Sequence, residues 1–304
     1  MSIASGRAAG SRLSFSLILA RLKTGRLGAG WMVVAALFFA LMSLFVKLGG
    51  SRFGSVELLF WRTFIGAVVL GIGVRAQGLS LATPHCGGHL KRSFIGYLSM
   101  SALFYALTRL PLSTGVTLNY TSSLFFSLIC MVHFRERMSR ASALALLLGF
   151  VGIVLLLRPT FSSSLWFAGL IGLLSGVSAG FAVFQVRELG QMGEPSWRVV
   201  FWFFAIASVF GLVWLLIGPG FTPITWSNVG YLLGVGVFGM LGQLCMTRAY
   251  AEGRKYLVAS FAYLTVVFSA LLGMLVWGDA LTLEAALAIL LIVGSGLLAA
   301  IKKD

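Results

Sequence analysis

Residues 117–123 read Thr-Leu-Asn-Tyr-Thr-Ser-Ser and lie inside an apolar run that covers residues 112–134. Six of these seven side chains carry a hydrogen-bonding group, although the surrounding run is long enough to cross a bilayer. Polar groups are costly in hydrocarbon unless another helix or a water-filled cavity receives them. A single Ser or Thr in such a helix more often bonds to a neighbouring helix. The cluster as a whole favours a helix that forms one wall of a central pore.

The composition of the whole chain indicates a polytopic membrane protein. Of the 304 residues 59% are hydrophobic and 10% are charged, and the mean hydropathy is +0.99, whereas soluble proteins carry about 25% charged residues. The net charge of +15 does not indicate a nucleic-acid partner, because the basic residues fall between apolar spans and form no solvated domain. The three cysteines are too far apart for a disulfide framework or a metal motif, so we expect no cofactor.

Ten apolar spans follow a tail, residues 1–29, that holds five basic residues and no acid. Each span approaches the roughly 20 residues that a helix needs to cross a bilayer. We therefore predict an all-α membrane protein with ten transmembrane helices behind a basic cytoplasmic tail. The predicted spans are 30–48, 56–74, 93–110, 112–133, 140–158, 166–186, 198–217, 228–247, 256–277 and 281–301.

The basic residues predict the topology of these spans. With the N-terminus in the cytoplasm, 18 of the 23 Lys and Arg residues fall on cytoplasmic segments, four fall on outer segments and Arg62 lies within a span. Positive charge accumulates on the cytoplasmic side of membrane proteins. The bias therefore predicts an even number of spans, with both termini in the cytoplasm.

The two halves of the sequence resemble each other. Residues 125–139 align with residues 268–282, 143 positions later, through large apolar residues spaced three apart and a following turn. We predict two repeats of five spans each, at residues 30–158 and 166–301. An odd number of spans makes the second repeat inverted relative to the first, and such repeats commonly hold a substrate site near the midplane between them.

These features resemble the drug/metabolite transporter superfamily in its ten-helix form with two EamA-type repeats, over about residues 30–300. The motifs that carry the resemblance are Tyr105-Ala106-Leu107-Thr108, residues 134–139 (Phe-Arg-Glu-Arg-Met-Ser), residues 149–156 (Gly-x-x-Gly-Ile-Val-Leu-Leu) and Trp277-Gly278-Asp279-Ala280-Leu281. One departure concerns the fourth and ninth helices, where family members often carry a mid-helix proline. Here the corresponding stretches are 120–123 and 263–266, and neither contains one.

The resemblance implies a plasma (inner) membrane exporter of small metabolites that works by alternating access. Within that superfamily the chain resembles the YddG-like exporters of aromatic and other amino acids, so amino acids are the expected substrates. In that group the last helix of each repeat stands outside the cavity. The alternatives are transport of another metabolite, such as a nucleotide-sugar, or of a drug cation.

Polar and aromatic residues of the spans form the expected substrate site. Aromatic rings offer stacking and cation–π surfaces, while amides and hydroxyls can orient an amino or carboxylate group. The alternative for each is an interhelical hydrogen bond or an interfacial position. The candidate substrate-binding residues are Tyr97, Ser101, Tyr105, Asn119, Tyr120, Ser123, Trp202, Gln243, Ser260, Tyr263 and Thr265.

Arg62 is the one basic residue placed well inside a predicted span. It could receive a substrate carboxylate, pair with Glu57, or extend to the outer surface, and the sequence does not separate these roles. The eight acids all fall at span ends or in loops. A proton antiporter usually needs an embedded carboxylate, so we expect a passive facilitator.

Two short motifs suggest other chemistry. Residues 176–180 match the Gly-x-Ser-x-Gly pattern of serine hydrolases, but the three histidines are predicted at the membrane edge or in a loop, where they cannot serve Ser178 as a base. Close helix packing explains these glycines better. The loop segment His85–His89 holds three potential metal ligands without a fourth nearby. We therefore expect neither an enzyme nor a metal site.

Overall fold

The computed structural model of the chain describes residues 28–134, 140–157, 165–278 and 283–301. The predicted tail up to residue 27, residues 135–139 of the first repeat motif and Asp279 of the second lie outside the described residues. All the elements in the described part are α-helices. They are α1 (Gly30–Gly49), α2 (Ser55–Ala76), α3 (Cys86–Arg109), α4 (Leu112–Tyr120), α5 (Ser122–Phe134), α6 (Arg140–Leu157), α7 (Trp166–Gln191), α8 (Ser196–Ile217), α9 (Val229–Glu252), α10 (Lys255–Ala262), α11 (Leu264–Trp277) and α12 (Leu283–Ile301).

Helices occupy all ten predicted span positions, so the predicted all-α membrane fold is confirmed. Within the described residues, seven helical stretches are long and apolar enough to cross a membrane. Each is 20 to 26 residues long, and this length matches the hydrocarbon thickness of a bilayer. The helices α3, α6 and α12 occupy the remaining three positions.

Two predicted spans are each divided into a pair of shorter helices. The fourth span breaks at Thr121, between α4 and α5, and the ninth breaks at Tyr263, between α10 and α11. At both points the backbone N–H bonds three residues back, from Thr121 to Leu118 and from Tyr263 to Ser260. This is the tighter 3₁₀ pattern. The breaks therefore occur at matching places in the two halves although neither contains proline.

The two halves pack mainly through pairs of helices drawn from opposite halves. The helix α1 lies along α9, α3 along α7, α2 along α8, and α6 along α12. In the second half, α7, α8, α9 and α12 correspond to α1, α2, α3 and α6. The α1–α9 and α7–α3 pairs are therefore equivalent, and each of the other two pairs joins corresponding helices. The space between the halves is thus bounded by helices of both.

Candidate functional site

A cavity lies between the two halves and holds about 710 Å³ of empty space, its mouth included. On α1 it extends from Met32 to Ser43, which is about 16 Å along the helix axis. Eight of the twelve helices contribute to its wall, and the described residues of α2, α6, α11 and α12 do not. The lining residues are Met32, Phe39, Met42, Ser43, Arg92, Gly96, Ser99, Met100, Leu103, Val116, Asn119, Tyr120, Ser122, Ala179, Ala182, Val183, Phe203, Gln243, Met246, Tyr250 and Ala262.

The opposite end of the bundle is joined by direct contacts. Lys47, near the end of α1, donates a hydrogen bond from Nζ to the carbonyl oxygen of Leu110 at 2.6 Å. The same ammonium lies 5.7 Å from the ring centroid of Trp277 at the end of α11. None of these three residues lines the cavity. The cavity therefore extends toward the end of the bundle where α1 and α3 begin.

Arg92 places a guanidinium group on the cavity wall. The residue is only 3% exposed, and its Cζ lies 4.1 Å from the ring centroid of Phe203. A Cβ on Gly96, one turn later, would overlap the guanidinium, so the glycine makes room for it. Within the described residues, Nε and Nη1 of Arg92 have no hydrogen-bond partner. The wall thus carries a buried cation with unused donors.

Arg62 lies behind this wall and acts on Gln243, which lines it. Its guanidinium is fully buried and donates from Nη2 to Gln243 Oε1 at 3.2 Å and from Nε toward Met42 Sδ at 3.1 Å. Arginine can only donate hydrogen bonds, so the oxygen of the Gln243 amide must face Arg62. The amide nitrogen Nε2, which has no partner in the described part of the chain, is then left for a ligand.

Two of the roles considered for Arg62, a pair with Glu57 and a position at the outer surface, are not found in the structure. Glu57 accepts hydrogen bonds from the backbone N–H and the hydroxyl of Thr222, at 2.9 and 2.7 Å, and is therefore engaged elsewhere. Because Arg62 is fully buried, its side chain does not extend to the surface either.

Asn119 offers the cavity an acceptor. Its Nδ2 donates to Ser175 Oγ at 3.1 Å, and that hydroxyl in turn donates to the carbonyl oxygen of Gly172 at 2.6 Å. The amide nitrogen is therefore used in the wall, which leaves the oxygen Oδ1 for the N–H of a ligand. The cavity combines donors on α3 and α9 with an acceptor on α4.

The structure places the predicted site residues in several different environments. Asn119, Tyr120 and Gln243 line the cavity, and Arg62 contacts Gln243. Ser123 donates to the carbonyl oxygen of Ala259 at 2.9 Å and so joins the two broken spans. Away from the cavity wall lie Tyr97, Ser101, Tyr105, Trp202, Ser260, Tyr263 and Thr265.

Trp202 belongs to a polar cluster that joins the loop before α3 to the turn before α8. We call residues 79–85 the strap. Trp202 Nε1 donates to the Leu81 carbonyl oxygen at 3.1 Å, and Arg198 donates to the Ser80 carbonyl oxygen at 2.9 Å. Buried Glu194 accepts a hydrogen bond from Thr83 and pairs with Arg198 at 3.2 Å.

The charge of Glu194 is stabilised by its partners. Burial alone would raise the pKa of this carboxyl group. The hydrogen bonds from Thr83 and Arg198, together with the charges of Arg198 and His89, outweigh burial and lower the pKa below its usual value. Glu194 is therefore ionised when it accepts the hydrogen bond from Thr83 of the strap.

Sequence reasoning missed Arg92 and Phe203 as site residues. Arg92 counted as a cytoplasmic flank because the apolar run begins at Ser93, but α3 begins earlier, at Cys86. The side chain consequently lies on the inward face of a helix rather than in a loop. A helical projection extended back through the polar residues 86–92 would have placed Arg92 on the face of Gly96 and Ser99.

The Gly-x-Ser-x-Gly match belongs to a packing surface. A Cβ on Gly176 would overlap Thr121 Oγ1 and the Leu118 carbonyl oxygen, and one on Gly180 would lie 2.7 Å from Phe125 Cβ. The glycines thus allow α7 to approach the backbone at the break in the fourth span.

The comparisons with known proteins agree with the fold. The profile of the EamA-like transporter family matches residues 26–158 and 166–301. The pseudopaline exporter of Pseudomonas aeruginosa is 31% identical over 270 residues, which cover 88% of this chain and 93% of that protein. The riboflavin transporter of Vibrio cholerae is 30% identical over 263 residues, which cover 83% of this chain and 85% of that protein.

Two further comparisons extend this picture. The S-adenosylmethionine uptake transporter of Rickettsia bellii is 24% identical, over 85% of this chain and 88% of that protein. One crystal structure superposes with a TM-score of 0.73 at 21% identity and covers 92% of this chain and 99% of that one.

The chain is thus a multi-helix membrane protein with a cavity between its halves. It belongs to the EamA-like transporter family, and the resemblance to the drug/metabolite transporter superfamily is confirmed. It is a membrane transporter, and its named relatives move small metabolites.

Proposed function

We propose that the protein exports small metabolites that carry a carboxylate group, amino acids first among them, by alternating access through this cavity. The observation that carries the proposal is the set of unused donors on the wall, Nε and Nη1 of Arg92 and Nε2 of Gln243. Buried donors without acceptors are costly, so a ligand that enters should bring acceptors. Charged donors favour a carboxylate, because such hydrogen bonds are roughly twice as strong as neutral ones.

The remaining wall suits the rest of an amino acid. Asn119 can accept a hydrogen bond from an amino group, while Phe39, Phe203 and the methionines give apolar surface. The relatives named as pseudopaline exporter and S-adenosylmethionine uptake transporter differ in direction. We assign outward movement from the resemblance to amino-acid exporters, because these two relatives do not agree on a direction. We also propose that the protein lies in the plasma (inner) membrane with both termini cytoplasmic.

Alternating access requires two ends of the bundle to open in turn. The end joined by the contacts of Lys47 must open when the end that the cavity reaches, where α1 and α3 begin, closes. We take the two repeats, residues 30–158 and 166–301, as the moving units. The contact between Lys47 and the Trp277 ring, which joins the two repeats, would break as the joined end opens. The described spans place no carboxylate on the cavity wall, which favours a facilitator over a proton antiporter.

The proposal is tested with purified protein in liposomes. Counterflow of labelled amino acids, an organic cation and riboflavin is measured with and without a pH gradient, against protein-free liposomes. We expect at least one amino acid to be exchanged at a rate that the pH gradient leaves unchanged within about twofold. Exchange of the organic cation alone would favour the drug-cation alternative and contradict the proposal.

A single variant distinguishes the proposed transporter from an intramembrane hydrolase. Ser178 would be its nucleophile, whereas in the present proposal Ser178 only packs within α7. We expect Ser178→Ala to keep at least about half of the wild-type exchange rate, since a small buried change on one helix is usually tolerated. Complete loss of activity in a folded Ser178→Ala protein would favour the hydrolase.

A further inference from the structure

Two buried guanidinium groups lie near the ring of Phe203. Cζ of Arg92 is 4.1 Å and Cζ of Arg62 is 5.8 Å from the centroid of Phe203. The two residues are 3% and 0% exposed. Two like charges sharing one aromatic ring repel each other, and the ring offsets only part of the cost of desolvating them.

No acid within the described residues neutralises either arginine. The ion pairs of the described part are His89–Glu194, Arg198–Glu194 and Arg248–Glu252. Among the described residues, the cavity wall includes one cation, Arg92, and no Asp or Glu. A buried cation usually has a counter-ion, because an unpaired one is strongly destabilising. Over the residues that the structure describes, neither of these two positive charges has a counter-ion.

A ligand with a single carboxylate would leave one of these charges uncompensated. Arg92 can bond to a carboxylate directly through Nε and Nη1. Arg62 reaches the cavity only through Gln243, whose Nε2 it orients toward the ligand. The two donor groups therefore define two positions where acceptor groups of a ligand can bind. Each position lies near one of the positive charges.

We propose, on the basis of the proposed function, that the transported solute carries two carboxylate groups, as an acidic amino acid does. The side-chain carboxylate of such a solute is bound by Arg92, and its α-carboxylate is bound by the Gln243 amide in the field of Arg62. The amino group is accepted by Asn119 Oδ1. Two buried cations near a net-negative solute also disfavour entry of cationic compounds.

The test compares L-glutamate with L-glutamine, which have nearly the same shape and differ by one negative charge. Counterflow half-saturation concentrations are measured in liposomes for both. Since hydrogen bonds to charged groups are roughly twice as strong as neutral ones, we expect glutamate to half-saturate at a concentration at least about tenfold lower than glutamine. In Arg92→Gln this preference should fall to within about threefold.

Lys91→Gln is the matched control, because Lys91 is the adjacent residue on the same helix and is exposed. It removes the same formal charge and should keep the preference for glutamate. The Arg92→Lys variant retains the charge and should keep part of the preference. Melting curves in detergent establish that each variant is folded.

The outcomes separate this inference from the proposed function. Equal half-saturation by glutamate and glutamine in the wild type, with exchange of either, would overturn the two-carboxylate proposal and leave amino-acid transport standing. A loss of both substrates in equal proportion in folded Arg92→Gln would also overturn it. If no amino acid is exchanged, both proposals fail.

Discussion

At the scale of residues, the direction of one amide decides what the cavity offers. The Gln243 side chain can present either an oxygen or an NH₂ group, and Arg62 selects the NH₂ group by occupying the oxygen. Gly239 makes this possible, because a Cβ there would lie 2.8 Å from Arg62 Nε. Arg62 is therefore a positioning residue that acts on the ligand through Gln243.

We expect Arg62→Gln to raise the half-saturation concentration of the transported substrate by about tenfold while the maximal rate changes less than about threefold. The reason is that Gln243 loses its fixed orientation and one charge-assisted hydrogen bond, worth about 1.5–3 kcal/mol. Counterflow kinetics in liposomes measure both quantities.

Arg75→Gln, an exposed position near the end of the same helix, serves as the control and should behave as wild type. Arg62→Lys, which can still donate to Gln243, should recover part of the affinity. A purely structural role would instead lower the maximal rate and the melting temperature, leave half-saturation unchanged, and contradict the positioning role.

A second prediction at this scale concerns Gly176. Its replacement by alanine would force Cβ against Thr121 Oγ1 and the Leu118 carbonyl oxygen, and backbone atoms cannot give way as a flexible side chain can. Overpacking of this kind costs about 1–3 kcal/mol. We expect a clearly lower melting temperature in detergent for Gly176→Ala.

Gly230→Ala is the matched control, because a Cβ on this α9 glycine meets no atom within 4 Å. It should melt at or slightly above the wild-type temperature, since alanine favours helix more than glycine does. Equal melting of both variants would mean that α7 does not approach the break as closely as described.

At the scale of elements, the sequence indicates that the fourth span is unusual but does not predict where the fourth and ninth spans break. The polar run 117–123 indicates that the fourth span is unusual, and the hydroxyl of Thr121 bonds to the Leu118 carbonyl oxygen at 2.7 Å, which satisfies an acceptor at the break. Such local side-chain bonds compete with the helical ladder. Because neither break contains proline, no residue type marks its position in advance.

The strap is a second element whose role follows from its contacts, and it yields a pH prediction. The lowered pKa of Glu194 means that its ionised form stabilises the folded state above the ordinary pKa. This stabilisation is lost as the pH falls below about 4.5, through the lowered pKa. We expect the melting temperature of the wild type to fall more steeply over this acidic range than that of Glu194→Gln.

The measurement is thermal unfolding in detergent from about pH 7 to pH 3.5 at constant ionic strength, which spans the titration of carboxyl groups. Glu252→Gln is the control, because Glu252 forms an exposed pair with Arg248 and exposed pairs contribute little. Its pH profile should follow that of the wild type. Parallel profiles for all three proteins would contradict the role of the strap.

At the scale of the whole molecule, hydropathy and charge bias predict the architecture because they reflect the bilayer, which acts on every span alike. Which face of a helix turns inward depends on its neighbours, and a single sequence does not contain that information. Tyr105, for example, is predicted for the cavity but stacks with Arg109 near the end of α3. Arg92 shows the converse, since a basic residue at the edge of an apolar run normally marks the cytoplasmic surface.

The cross-half pairing of helices has a consequence for how the protein could be assembled. Because α1, α2, α3 and α6 each have their main partner in the other half, neither half alone can cover its own packing faces. Two separately expressed fragments, one for each half, should therefore associate in the membrane and co-purify as a one-to-one complex. The covalent connection between them would then serve mainly to keep their synthesis in equal amounts.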